Sequence, residues 1–283
     1  GQLGTDIRQA AAERGSIEIT AFDRSHVDLS DLDRAREVVG AQDFDVLINC
    51  ASYHKTDEVE SNAALAALMN GHLVRDLAEV CRAKGARFVH FSTDYVFGGQ
   101  TKREPLTEED RPSPLSVYGA SKLLGEGLAL TSNLDSLVLR VSSLFGVAGA
   151  SGKGGNFVET MIRLAKQNGG LKVVDDQHMA PTATQDIAEA LLRLLEAKAP
   201  AGLYHVAGTG ATTWHGFARR IVERAGLDVP VEPVPTSAFP TPARRPPYSV
   251  LDAGKLARTV GWTMPAWEDA LDRYLVAKGH RAA

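Results

Sequence analysis

Four short apolar runs limit what this chain can fold into: Phe44-Asp-Val-Leu-Ile-Asn-Cys50, Arg87-Phe-Val-His-Phe91, Ser136-Leu-Val-Leu-Arg-Val141 and Gly202-Leu-Tyr-His-Val206. Each has the length of a strand. The first is almost continuously apolar, as a strand buried on both faces of a parallel sheet must be. Helical stretches lie between them, the longest from about Ala63 to Lys84, where Gly85 stops it. Strands alternating with helices become parallel neighbours joined by crossovers. The pattern therefore predicts an α/β protein with a doubly wound parallel sheet. Such sheets bind ligands beyond the C-terminal ends of their strands. Function is then to be sought in Ala51-Ser-Tyr-His54 after the first run and Ser92-Thr-Asp-Tyr-Val-Phe97 after the second.

The chain opens with Gly1-Gln-Leu-Gly4, running into a helix over Thr5–Arg14; Ile17–Phe22 then has the pattern of a strand. A glycine turn at a helix N-terminus brings free N–H groups close to a phosphate. In a dinucleotide-binding fold such a turn follows a first strand. A short apolar strand and at least one more glycine are therefore expected ahead of Gly1, and residues 1–283 alone are expected to bind dinucleotide weakly. Asp23 closes the next strand, where an acid favours NAD, whereas adjacent Arg24 suits the extra phosphate of NADP; the pair leaves the choice open. Ser30 is the expected N-cap of a helix holding Leu32, Ala35 and Val38.

After a loop from Gly98 to Pro114, expected as a mobile surface segment, comes Ser116-Val-Tyr118-Gly-Ala-Ser-Lys122. Tyr118 and Lys122, four apart, share one helix face. An ammonium beside a phenol favours phenolate, so the spacing predicts a lowered Tyr118 pKa. Such a tyrosine donates a proton to a carbonyl under reduction, or removes one in the reverse reaction.

Beyond about residue 150 the elements become short and mixed. Residues 1–150 are expected to form the dinucleotide-binding domain. Residues 151–283 would mainly form a smaller substrate domain, some segments returning to the first. Gly149–Gly155 is rich in glycine but lacks the spacing of a phosphate-binding loop. A net charge of -4 and a pI near 6.1 argue against nucleic acid or an anionic membrane as the main partner. No apolar run approaches a membrane span. Cys50 and Cys81 make neither a disulfide framework nor a metal site, and both are expected to be buried; a reducing cytoplasm fits. His54 and His178 lack any metal-ligand spacing.

Together these motifs resemble the extended short-chain dehydrogenase/reductase superfamily and, within it, the dTDP-4-dehydrorhamnose reductase family. The resemblance covers essentially the whole chain. Its narrower marks are Ser92–Phe97, Ala180-Pro-Thr182 and Arg245-Pro246, with Asp57 and Glu60 among the others. It implies a Rossmann-type domain and reduction by NADPH or NADH of the 4-keto group of a dTDP-deoxysugar, a step toward cell-surface polysaccharide. Tyr118 would donate the proton, Lys122 would bind the nicotinamide ribose, and Thr93 would bond the keto oxygen. Gly1, Gln2 and Leu3 would hold the pyrophosphate, Asp28 and Leu29 the adenine end, and Ala51, Ser52, Tyr53 and Phe91 the rest of the cofactor. Thr93, Asp94, Asn156 and Arg245 would meet the nucleotide sugar. A homodimer is left open, and no metal is implied. Ser143 stands where many members have tryptophan, and His178-Met179 and His54-Lys55 also depart from the usual pattern. These changes put the sugar in doubt rather than the chemistry. A nucleotide-sugar epimerase and a non-catalytic dinucleotide-binding subunit are the alternatives.

Overall fold

In the computed structural model, residues 1–149 and 155–281 are described; the glycine-rich residues 150–154 lie outside them. The main sheet has β1 (Val46–Asn49), β2 (Arg87–Thr93), β3 (Ser136–Val141) and β4 (Gly202–His205), side by side in that order and all parallel. Ile48 lies opposite Val89, Phe91 opposite Leu139, and Leu139 opposite Tyr204. Parallel strands end on one edge of the sheet. Ala51, Asp94 and Ser142 therefore emerge on the same side.

Alternate side chains enter two cores, as the two-residue period of a strand requires. Val89, Leu137 and Leu139 pack with Leu3, Ile7, Ile187 and Leu191 beneath the helices Gln2–Arg14 and Thr184–Glu196. Phe88 and Val138 point the other way, to Val39, Leu73, Leu77 and Cys81 on the helices Leu32–Gly40 and Leu73–Lys84. Helices thus cover both faces of the sheet. A separate core gathers Phe145, Ile162, Phe217, Trp267 and Tyr274 around the helices Phe157–Asn168, Trp214–Arg224 and Trp267–Ala277. Beside it Leu171–Val174 pairs in parallel with Val231–Val234.

Several expectations change. Ile17–Phe22 forms no strand: Ile17 and Ile19 are half-buried, but the segment pairs with nothing among the described residues. A strand exists as a hydrogen-bonded structure only beside a neighbour. β1 accordingly lies at a sheet edge, and its Val46, Leu47 and Ile48 are half-buried rather than enclosed on both faces. Cys50, just past this edge strand, is exposed; Cys81 is buried as expected. Asp31, not Ser30, caps the Leu32–Gly40 helix, accepting from the Arg34 N–H. Asp28 instead binds the backbone and hydroxyl of Ser30. The Gly98–Pro114 loop is tethered rather than loose. Gly98 bridges Pro114, Leu106 bridges Leu251 and is buried, and Glu108 accepts from the His205 N–H.

Arg140 on β3 and His205 on β4 are fully buried polar residues. His205 Nδ1 donates to the Leu106 carbonyl, and Nε2 accepts from Arg140 Nη1 at 3.3 Å. Burial first, then the Arg140 charge, hold the imidazole down to about 3. The unfolded chain therefore takes up a proton near pH 6.5 that the folded chain refuses until about pH 3. In this window unfolding binds protons, so this group makes stability fall as pH falls. Urea midpoints measured between pH 7 and pH 4 should decline, and His205→Gln should flatten that decline.

Candidate active site

The helix Val117–Ser132 carries the pair singled out by spacing. Ser116 caps it by accepting from the Gly119 N–H, and Glu60 accepts from the Val117 N–H at 2.8 Å. A Cβ on Gly119 would come 2.2 Å from the Tyr95 carbonyl oxygen. Glycine there lets the first helical turn press against the Asp94–Val96 turn after β2. The Tyr95 ring consequently meets the Tyr118 ring edge-on at 5.6 Å. Thr93 and Ser52 lie within hydrogen-bonding reach of the Tyr118 hydroxyl.

Burial dominates the proton affinity of this phenol and raises it above the ordinary tyrosine value, with nearby Asp94 and Tyr95 adding to the rise. The sequence spacing predicted the opposite sign. Helical spacing registers the lysine but not the enclosure of the ring. Lys122, only 2% exposed, donates to the Phe91 carbonyl at 2.6 Å, and burial lowers its amine to about 7. Thr93 Oγ1 donates to Asp94 Oδ1 and accepts from the Tyr95 N–H, both at 3.2 Å. Asp94 Oδ2 also accepts from Ser142 (2.9 Å) and Ser249 (2.6 Å). The buried acid, its proton affinity raised mainly by desolvation, thus ties the ends of β2 and β3 to the C-terminal segment.

One organising residue escaped the sequence reading. The expected Ala63–Lys84 helix contains a π-helical segment, Leu68–His72, and π-helical turns often accompany functional sites. It aims the buried Asn70 side chain at the strand-end loop. Asn70 accepts from the Tyr53 N–H (2.8 Å) and Ser52 Oγ (3.2 Å). It donates to the Tyr53 carbonyl (3.1 Å) and Ser121 Oγ (2.9 Å). The available signal was an asparagine followed by glycine inside an apolar helix, two poor helix formers side by side. A Cβ on Gly125 would come 2.1 Å from the Asn70 carbonyl oxygen. Gly125→Ala is therefore expected to cost about 1–3 kcal/mol. It should also raise the KM for the dinucleotide by displacing the Ser52–Tyr53 loop. Thermal melts and steady-state kinetics measure both effects.

Ala51, Ser52, Tyr53, Phe91, Thr93, Asp94, Tyr118 and Lys122 form one connected region at the strand ends. Ala51 donates its N–H to Asn49 Oδ1, and Tyr53 donates its hydroxyl to Glu58 at 2.7 Å. Arg245 reaches the edge of this region, bonding Asp57 at 2.6 Å and lying beside Tyr95. Asn156 is placed otherwise: it caps the Phe157–Asn168 helix and donates to the Gly146 carbonyl and to the Tyr274 hydroxyl, each at 3.0 Å. Leu3 is in the sheet core, Leu29 packs against the opposite core, and Asp28 is exposed. Exposed Asp23 has its acidity increased by Ser25, then by His26. Ser143, at the end of β3, has φ 46°, a left-handed conformation uncommon without glycine, and it donates no side chain comparable to a tryptophan wall. The His178 ring lies 5.9 Å from that of Tyr248.

The start of the Gln2–Arg14 helix suits a dinucleotide. Gly1 gives it no side-chain cap, and Gln2 Oε1 is buried there without a hydrogen-bond partner, an acceptor available to a ligand donor. The N–H groups of Gln2, Leu3 and Gly4 precede the first intrahelical bond, which Thr5 donates to Gly1, and are donors of the kind a pyrophosphate accepts from. A doubly wound parallel sheet with Thr, Tyr and Lys at its strand ends defines a Rossmann-type NAD(P)-dependent oxidoreductase. The model of the family described as RmlD substrate binding domain matches residues 1–279. A dTDP-4-dehydrorhamnose reductase of Burkholderia thailandensis is 38% identical over 96% of this chain and 94% of its own. The crystal structure of a dTDP-4-dehydrorhamnose reductase from Clostridium acetobutylicum aligns with a TM-score of 0.92 at 35% identity, covering 99% of this chain and 96% of that one. The Bacillus anthracis reductase in complex with NADP gives a TM-score of 0.90 at 34% identity over 98% and 96% of the two chains. The chain belongs to the dTDP-4-dehydrorhamnose reductase family.

Proposed function

We propose that this protein reduces the 4-keto group of dTDP-4-dehydro-L-rhamnose, giving dTDP-L-rhamnose, with NADPH or NADH as reductant. The observation that carries the reading is the half-buried Tyr118 phenol within reach of Thr93 and one helical turn from Lys122: its proton affinity, already high for a phenol, is raised further by desolvation, so it meets the keto oxygen in the protonated form that reduction needs. Bound nicotinamide would supply the hydride. Tyr118 gives its proton to the keto oxygen as negative charge develops there. Thr93 turns its hydroxyl from Asp94 toward the same oxygen. Lys122 holds the ribose and restores the Tyr118 proton. Arg245, braced by Asp57, offers its remaining guanidinium N–H groups to the diphosphate. Ser143 in place of an aromatic side chain would leave the sugar without an apolar wall on that side.

The test is NADPH consumption by the purified protein over a panel of nucleotide 4-keto sugars. The dTDP-4-dehydro-L-rhamnose reaction is expected to have the highest kcat/KM. A tenfold preference for another sugar would reassign the substrate and keep the chemistry.

The same reading divides the chain at about residue 150 into a dinucleotide domain and a mainly substrate-binding domain. It places the protein in the cytoplasm, in keeping with two free thiols. Among the described residues no helix is long and apolar enough to cross a membrane. Exposed Leu65 and Leu124, on neighbouring helices, support a homodimer. A single monomeric species in sedimentation would remove that part.

A further inference from the structure

The end of β2 and the C-terminal segment meet at one carboxylate. Asp94 is 3% exposed, and its two oxygens are used unequally. Oδ2 accepts from Ser249 at 2.6 Å and from Ser142 at 2.9 Å, and both serines are buried. Oδ1 accepts from Thr93 at 3.2 Å, the longest of the three bonds and beyond the usual range for a hydroxyl donor. Hydrogen bonds polarise one another inside a protein, so two donors on Oδ2 draw negative charge toward it and leave Oδ1 the weaker acceptor. Desolvation raises the proton affinity of Asp94, and Ser249 is the strongest influence against that rise, ahead of Ser142 and Thr93.

Ser249 comes to Asp94 from 155 positions along the chain. The backbone around it does not depend on its hydroxyl. The Ser249 N–H donates to the His178 carbonyl at 2.9 Å, and the Val250 carbonyl accepts from the Leu106 N–H at 2.9 Å. The Asp252 N–H donates to the Leu106 carbonyl at 2.8 Å. The segment is thus a fixed post, and what the serine side chain adds is the orientation of Asp94. Four residues earlier the same segment carries Arg245, held by Asp57.

We propose that Ser249 is a positioning residue for Thr93 and acts through Asp94: it turns the carboxylate so that a long, weak bond holds the Thr93 hydroxyl in place and releases it readily to the keto oxygen. The role rests on reading Thr93 as the group that bonds that oxygen. Without the Ser249 hydroxyl the carboxylate turns about its Cβ–Cγ bond and Oδ1 becomes the better acceptor. The Thr93 hydrogen is then withheld from the substrate, and Tyr118 meets the developing charge alone.

Crystal structures of the unsubstituted protein and of Ser249→Ala read the first consequence. The Thr93 Oγ1 to Asp94 Oδ1 distance is expected to shorten from 3.2 Å to about 2.7 Å, the ordinary length of such a bond. In turnover, kcat of Ser249→Ala should fall by about ten- to a hundredfold, the worth of one hydrogen bond to a charged group. The KM for NADPH should not change, and Ser249→Thr, which keeps the hydroxyl, should behave as the unsubstituted protein does. In a Thr93→Val background Ser249→Ala should cost nothing further, whereas a merely structural loss adds to any background. An ordinary bond of about 2.7 Å already present in the unsubstituted protein would overturn the proposal. So would an unaltered distance in the variant, or a full additional fall in kcat on top of Thr93→Val. The distance is read with no sugar present, so a failure to reduce nucleotide sugars would count against the proposed function and leave this inference to its own result.

Discussion

Replacing Tyr118 with phenylalanine should lower kcat by about a thousandfold, within the 10²–10⁴ range of general acid catalysis. The KM for NADPH and the melting temperature should barely change. The substitution removes one hydroxyl and keeps the ring that meets Tyr95 edge-on. What is lost is the proton that burial holds on the phenol oxygen, together with its contacts to Thr93 and Ser52. Activity within a few-fold of the unsubstituted protein would mean that another group protonates the keto oxygen. Thr93, whose own hydrogen is directed at Asp94, would then be the first to reconsider.

Glu126→Ala should be the most damaging single change to the fold outside the apolar cores. Glu126 and Arg140 are 4% and 2% exposed and form a two-pronged pair, with Nε to Oε1 at 2.8 Å and Nη2 to Oε2 at 2.7 Å. Ser92 adds a bond to Oε1 at 2.5 Å. Removing the carboxylate leaves a guanidinium buried without a counter-charge, at a cost of about 3–5 kcal/mol. The Phe97 ring, 4.9 Å from the guanidinium carbon, and His205 compensate only in small part. Glu126→Ala combined with Arg140→Met should recover much of the loss, because two apolar groups leave no stranded charge. Urea unfolding of the single and double variants separates the cases. A double variant no more stable than the single one would show that Arg140 contributes through packing instead.

The sheet was legible because β2 and β3 are buried strands whose apolar runs have few competing explanations. The Tyr118–Lys122 pair was legible because both residues lie on one helix, where sequence spacing fixes geometry. Legibility failed where partners come together only through the topology. Glu126 finds Arg140 from a neighbouring strand, and Asn70 finds Ser52 and Ser121 across a π-helical turn that no propensity encodes. Asp57 meets Arg245 from far along the chain. Local chemistry was ambiguous in its own way: Ser30 and Asp31 are both good caps, and the backbone selected the second. Ile17–Phe22 had the alternation of a strand, yet alternation names the faces of a segment and not its neighbour. The sign of the Tyr118 shift was missed for a related reason, since enclosure by Tyr95, Thr93 and Asp94 is a tertiary fact.

The central claim is direct reduction at the sugar's C4 with Tyr118 as acid. It is tested most directly by supplying dTDP-4-dehydro-L-rhamnose with NADPH carrying deuterium at the transferable C4 position of its nicotinamide ring, and examining the product by mass spectrometry and NMR. The account predicts one deuterium on C4 of the rhamnosyl group for each NADPH oxidised, and almost no product from Tyr118→Phe. Conversion of a nucleotide sugar with no deuterium incorporated and no net NADPH oxidised would contradict it.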